Sequence, residues 1–87
     1  MTALERAPNI GPTLARELRQ VGVRDLDELR ALGAVEAWER LRLAGLRTCA
    51  HSLRALEGAI QGIDWMTMPE ADRARLTTHA AARRDTP

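Results

Sequence analysis

The sequence predicts an all-α protein, a compact bundle of about five helices. Apolar residues recur at helical spacing, and Gly, Pro, Asn and Asp residues separate the apolar stretches. No stretch alternates with the period of two that marks a half-buried strand. The most regular apolar series steps by four, three, four and three residues, which places one face of an amphipathic helix at Cys49, Leu53, Leu56, Ile60 and Ile63.

Length and composition fit one small domain. The chain has 87 residues, enough for one domain and too few for two. Its formal net charge is +1, so strong non-specific binding to nucleic acid is not expected. Trp38 and Trp65 are the only Phe, Trp or Tyr residues, so the core must consist mainly of aliphatic side chains. We predict a lead-in over residues 1–7, a helical domain over residues 8–77 and a fraying tail over residues 78–87.

Two helices joined by a turn are predicted within residues 8–32, and this helix-hairpin-helix-like unit organises the core. Asn9 tolerates a left-handed backbone, and Pro12 suits a first helical turn because its missing N–H is not needed there. Gly22 is suited to end the first helix in the left-handed conformation. Asp25, with a glutamate three residues later, is typical of a capping box and predicts the start of the second helix.

The third and fourth helices are predicted to carry most of the remaining core. The third runs from Ala34 to Leu43, and we expect Trp38 to be its half-buried hub; the alternative is an exposed anchor for a partner. Thr48 is a good N-cap for the longest helix, Cys49 to about Gly62, which should lie at the centre of the bundle. The side chains expected to pack on that helix are Leu14, Leu18, Leu26, Leu29, Trp38 and Leu41.

The last helix is predicted from about Pro69 to Thr78 or beyond, with Leu76 and Ala80 packing on the core. Thr67 and Glu70 would form its capping box, with the proline inside the first turn. In the preceding long helix, Arg54 and Glu57 are close enough in sequence for a weak exposed ion pair.

Several segments share more residues with one family than amphipathic spacing would demand. They are N-I-G-P at 9–12, V-G-V at 21–23, D-L-D-E-L-R-A-L-G-A-V-E-A-W at 25–38, A-L-E-G-A-I-Q-G at 55–62 and D-W at 64–65. These segments resemble the C-terminal domain of TfoX/Sxy-type competence regulators. The resemblance implies a bacterial, all-helical domain without catalytic residues, in proteins that promote the expression of DNA-uptake genes. In full-length members a separate N-terminal domain precedes it, and we expect this chain to stand without that half.

The turn before the first predicted helix is a candidate phosphate site, because the amides and the macrodipole of a helix N-terminus favour an anion. The residues predicted to contact a phosphate or a DNA backbone are Asn9, Gly11, Thr13, Arg16 and Arg19. DNA-binding hairpins that resemble this one often carry G-x-G-x-K, whereas Asn9 and Thr13 stand at the first and last of those positions here. Nearby carboxylates would repel a phosphate, so the alternative is a hairpin that only closes the core.

A second candidate surface lies after the long helix, where Trp65, Met66 and Met68 make the chain unusually apolar for a loop. The alternative is that these side chains cap the open end of the core. We therefore expect a non-enzymatic adaptor that contacts a transcription regulator, a separate N-terminal-type domain or a second copy of the chain. Weak, direct DNA binding through the Asn9–Arg16 turn is the alternative function.

No cofactor, metal ion or membrane partner is expected. A metal site needs three or four suitably spaced ligands, and Cys49, His51 and His79 do not provide them. A thiol on an apolar face is held protonated and unreactive, so Cys49 is not expected to be a nucleophile. A single cysteine fits a reducing compartment, and no apolar run resembles a signal peptide or a membrane span. We expect a cytoplasmic protein without enzymatic activity.

Overall fold

A computed structural model of the chain describes residues 2–46 and 50–84. Within these ranges there are five α-helices and two short 3₁₀ turns, and no residue is in a β-strand. The helices are α1 (Pro12–Gln20), α2 (Leu26–Leu32), α3 (Ala34–Leu43), α4 (Ala50–Gln61) and α5 (Glu70–Arg84). The 3₁₀ turns comprise Leu4–Arg6 and Trp65–Thr67. The predicted all-α bundle of about five helices is confirmed.

Helix α4 lies at the centre of the bundle. It packs against α2, α3, α5 and the second 3₁₀ turn, and its side chains Leu53, Leu56 and Ala59 are fully buried. Helix α1 packs mainly against the first 3₁₀ turn and α3, and not, as predicted, mainly against α4. Trp38 on α3 is only 2% exposed, which is deeper than predicted and excludes its use as an exposed anchor.

Helix α1 ends where the sequence predicts, in a Schellman motif around a glycine. The Val23 N–H donates to the Leu18 carbonyl over 2.9 Å, and the Gly22 N–H donates to the Arg19 carbonyl over 3.1 Å. Gly22 has φ 89°, a left-handed conformation that costs glycine little. The same pair of hydrogen bonds closes α3 and α4, so three of the helices end in one way.

The start of α2 shows one of the two hydrogen bonds of the predicted capping box. The Asp25 carboxylate accepts from the Glu28 N–H over 2.9 Å. The Glu28 carboxylate accepts from the backbone N–H of Arg24 over 2.8 Å, one residue before the expected donor. Because the Arg24 guanidinium pairs with the same carboxylate at 3.0 Å, the side chain is drawn to this residue instead of to Asp25.

The capping box predicted for the last helix is wrong. The Thr67 hydroxyl donates to the Asp64 carbonyl over 2.9 Å and belongs to the preceding 3₁₀ turn, while α5 begins only at Glu70. The difference lies in where the helix starts: because α5 begins at Glu70, Pro69 stands at the N-cap position, and Thr67 lies two residues earlier, inside the preceding 3₁₀ turn. Thr48 and Cys49, predicted to begin the long helix, lie outside the described residues.

Helix α5 continues to Arg84, in agreement with a predicted end at Thr78 or beyond. Ala80 is buried at 3% exposure, and the Arg83 Nε lies 2.6 Å from a carboxylate oxygen of Glu39 on α3. The burial of Ala80 is predicted by the sequence, whereas the ion pair with Glu39 joins distant parts of the chain, so local sequence patterns do not reveal it. Both contacts supply the tertiary packing from which a helix of low apolar content draws its stability.

The Asn9 side chain ties the beginning of the chain to α4 and to the segment that follows it. Its Nδ2 donates to the carbonyls of Ile63 (3.0 Å) and Ala55 (3.4 Å). Its Oδ1 accepts from the Trp65 N–H over 3.2 Å. Gly58 leaves room for the amide, because a Cβ there would lie 2.5 Å from the Asn9 Nδ2 and 2.8 Å from the Ile63 carbonyl oxygen. We call this set of contacts the Asn9 lock.

Gly58→Ala tests whether this close approach matters. In an ordinary helix interior, alanine is more stable than glycine by about 1 kcal/mol. Here we expect the opposite sign, a loss of about 1–3 kcal/mol of unfolding free energy, because the new Cβ displaces the Asn9 amide. Urea denaturation measures the difference.

A double-mutant cycle with Asn9→Ala serves as the control. Because the shortest clash is with Asn9, Gly58→Ala should cost less in the Asn9→Ala background than in the natural chain. Equal costs in both backgrounds, or a stabilising Gly58→Ala, would contradict the lock.

Candidate functional site

The hairpin before α1 places only part of the predicted phosphate contact on the surface. Gly11 and Thr13 are exposed, and Gly11 is the N-cap residue of α1 with φ −87°. Arg16, one turn further on, is exposed and makes no hydrogen bond or ion pair with the residues that the structure describes. Asn9 is different, because its amide is half-buried and engaged in the lock. We call Gly11, Thr13 and Arg16 the hairpin surface.

Arg19 is already neutralised within the protein. Its guanidinium forms two hydrogen bonds with the Glu5 carboxylate, at 2.7 and 2.9 Å. The side-chain hydrogen bonds from Arg19, followed by a backbone hydrogen bond, lower the pKa of Glu5 from 4.5 to about 2. Arg19 therefore joins α1 to the first 3₁₀ turn, and of the two predicted arginines only Arg16 is free for an anion.

The second predicted surface lies on the 3₁₀ turn after α4. Met66 is 63% exposed, and its N–H donates to the Asp64 carboxylate over 2.9 Å. Trp65 is half-buried, with the His51 ring 4.2 Å away in an edge-on arrangement and the Arg54 guanidinium 5.9 Å from its ring centre. We call Trp65, Met66, His51 and Arg54 the turn patch.

The structure contradicts the placement of Met68 on this surface. Its side chain is only 2% exposed and belongs to the hydrophobic core. Met68 lies in the extended connection between the 3₁₀ turn and α5, and it closes the core there, which is the alternative interpretation. The exposed apolar surface is therefore smaller than the three residues predicted.

Sequence reasoning did not identify the cluster that holds α3 to α5. The Glu39 carboxylate lies 2.7 Å from Arg42, 2.6 Å from Arg83 and 3.6 Å from the His79 Nε2. Burial alone would raise the pKa of Glu39, but the hydrogen bond from Arg42 and the nearby positive charges outweigh burial and lower it. The His79 ring also packs edge-on against Trp38, 5.7 Å between centres. These contacts fasten the end of α5.

Arg54 also differs from its predicted role. Its Nη2 donates to the Thr77 hydroxyl of α5, and it makes no ion pair with Glu57. The Glu57 carboxylate instead accepts from the Gln61 side chain over 2.7 Å. Arg54 therefore links α4 to α5, and it also contacts Trp65 of the turn patch.

Two further findings concern metals and membranes. Among residues 2–46 and 50–84, no three His, Cys, Asp or Glu side chains converge in a way that would hold a metal ion. In the same ranges, each helix is too short or too polar to cross a lipid bilayer.

Comparison with known sequences identifies one family. The TfoX C-terminal domain matches residues 1–80. Protein Sxy from Escherichia coli (strain K12) is 39% identical over 77 residues, which are 88% of this chain and 37% of Sxy. The chain thus spans little more than a third of the length of this curated relative.

Solved structures share the fold over nearly their whole length. The crystal structure of an uncharacterized protein from Listeria monocytogenes, in a triclinic form, has a TM-score of 0.91 and 34% identity, with 94% of this chain and 93% of that chain covered. A tetragonal form of a protein of unknown function from Listeria monocytogenes has a TM-score of 0.87 and 35% identity, with 91% and 96% covered.

The Glu5–Arg19 pair can be tested by titration. We expect the Glu5 carboxyl, followed by carbon NMR, to titrate near pH 2 and to return toward 4.5 in Arg19→Ala. Because the folded pKa is lowered, the stabilisation is complete above the unfolded value of 4.5 and is lost as the pH falls toward 2. Arg16→Ala, on the same helix, should leave the Glu5 pKa unchanged. A Glu5 pKa near 4.5 in the natural chain would refute the pairing.

Proposed function

Because the chain belongs to the TfoX C-terminal domain family, we propose that it is a non-enzymatic adaptor in bacterial competence regulation. In this role it contacts a protein partner in the cytoplasm and so promotes the expression of DNA-uptake genes. The partner is a transcription regulator, a second copy of the chain, or the part of longer relatives that lies outside the matched region. The family relationship supports the regulatory context.

The exposure of Met66 is the observation that supports a protein contact. This large apolar side chain is 63% exposed on a 3₁₀ turn whose backbone is bonded to Asp64 and Asn9. A methionine adapts to irregular apolar surfaces, and a fixed turn reduces the ordering cost of binding. One partner of a standard interface buries about 800 Å², so the turn patch would be the apolar centre of a larger contact.

A chimera of Protein Sxy tests this function. The 77 matched residues of Sxy are replaced by this chain, and a DNA-uptake gene reporter is measured in an Escherichia coli strain that lacks Sxy. We expect the chimera to activate the reporter and Met66→Asp to return it to background, because a buried carboxylate would oppose the apolar contact.

Leu43→Asp is the matched control. Leu43 is 77% exposed on α3 and lies outside the turn patch, so its replacement should leave reporter activity intact. Circular dichroism spectra and the cellular level of each variant, compared with the unsubstituted chimera, check that both variants fold. A chimera that does not activate, or one that Met66→Asp leaves fully active, would refute the adaptor function.

A second candidate function is DNA binding at the hairpin surface. The observation in its favour is that Arg16 is exposed and unpaired within the described ranges, about one turn along α1 from the first amides of that helix. The backbone N–H groups of a helix N-terminus and an arginine together suit a phosphate. With one free arginine on this surface, binding should be weak and should fall steeply with salt.

Fluorescence anisotropy of a labelled duplex measures this binding at low and physiological salt. We expect Arg16→Ala to abolish it, while Arg24→Ala, which removes an exposed arginine already paired with Glu28, should change it little. An anisotropy that stays flat at low salt, or that responds equally to both substitutions, would exclude the hairpin surface as the site.

A further inference from the structure

An open groove of about 430 Å³ lies between α4 and α5. It is lined by Arg54 from α4 and, from α5, by Glu70, Arg73, Ala74, Thr77 and Thr78. Arg54 is the one residue that the groove lining shares with the turn patch. The lining shares no residue with the hairpin surface. Two guanidinium groups and two threonine side chains give the groove a polar surface. The adaptor function proposed above assigns no role to this surface.

Both arginines of the groove have unused hydrogen-bond donors. The Nε atoms of Arg54 and Arg73 are shielded from solvent and have no hydrogen-bond partner among residues 2–46 and 50–84. Neither guanidinium forms an ion pair with a carboxylate among the described residues. A donor removed from water and left unpaired destabilises the fold, and does so more strongly when the group is charged. A ligand in the groove would not reach the shielded Nε atoms themselves, but an anion there would compensate the charge of the two guanidinium groups through their other nitrogens.

The groove also holds its arginines in place. The Thr77 hydroxyl accepts from the Arg54 Nη2 and donates to the Arg73 carbonyl oxygen over 2.8 Å. The stacking of Arg54 near Trp65 limits its movement further. The Thr78 side chain is exposed on the same lining and offers a hydroxyl donor. Glu70 is the one acidic side chain of the lining and opposes an anion.

We propose that this groove binds a phosphate group, either as a free phosphate or as part of a nucleic acid. One arginine fork is enough to pair both oxygens of a carboxylate, whereas two arginines on separate helices match a ligand with more acceptor oxygens and more charge. A phosphate monoester carries about 1.5 to 2 negative charges at neutral pH and three strong acceptor oxygens, whereas each phosphodiester of a nucleic acid carries one negative charge. Arginine is the side chain best suited to such planar, two-point recognition.

Nitrogen NMR of the arginine side chains tests the site directly. The full chain is titrated with inorganic phosphate at constant ionic strength, with chloride as the reference anion, and the Nε–H signals are followed. We expect saturable shifts of the Arg54 and Arg73 signals that chloride does not reproduce. Arg73→Ala should weaken binding at least about tenfold, the effect of one lost charged hydrogen bond, and Glu70→Gln should strengthen it.

Arg75→Ala is the matched control, because Arg75 lies on the same helix, is exposed and pairs with Asp72 at 3.8 Å. It should leave the phosphate affinity unchanged. A second titration uses a short DNA duplex without terminal phosphates. Shifts of the same two signals assign the site to nucleic acid, whereas a response to inorganic phosphate alone assigns it to a free phosphate or a monoester. No saturable shift in either titration, or equal affinity in Arg73→Ala, overturns the proposal.

Discussion

The Asn9 amide is the contact on which the arrangement of the bundle depends. One side chain near the start of the chain bonds to backbone groups 46, 54 and 56 residues away. Contacts between residues so far apart in sequence must offset the entropy that is lost when a long loop closes. Here three hydrogen bonds of a single side chain contribute to this at one place. The contact exists because Gly58 presents no side chain at the crossing. It fixes the turn before α1 against α4, and it fixes the backbone of the segment from Ile63 to Trp65 that follows α4.

The same contact couples the two candidate surfaces. The hairpin surface begins two residues after Asn9. The turn patch includes Trp65, whose backbone N–H donates a hydrogen bond to the Asn9 side chain. A substitution at Asn9 would therefore disturb both surfaces, and a loss of function there would not distinguish DNA binding from protein binding. Arg16 and Met66 are free of this ambiguity because their side chains are exposed and lie outside the lock.

The features that the sequence predicts correctly are those with a local cause. Gly22 ends α1 because of its own backbone freedom, and Asp25 caps α2 through a donor three residues away. The burial of Met68, the contacts of Asn9 and the Glu39 contact at the end of α5 could not be predicted in this way. Met68 belongs to the core, Asn9 binds the far end of α4, and α5 is held by Glu39 of α3. Each depends on residues distant in sequence, which a spacing pattern does not record.

The distribution of charged side chains shows why the net charge alone does not predict whether this domain binds an anion. The net charge is +1, but within the described residues carboxylates pair with only some of the arginines, namely Arg19, Arg24, Arg42, Arg75 and Arg83. Arg16, Arg54 and Arg73 have no such partner within the described ranges, and the last two share one groove. An electrostatic potential depends on where charges remain uncompensated. A nearly neutral domain of this kind can therefore bind an anion where its arginines remain unpaired, although its net charge of +1 does not favour strong non-specific binding to nucleic acid.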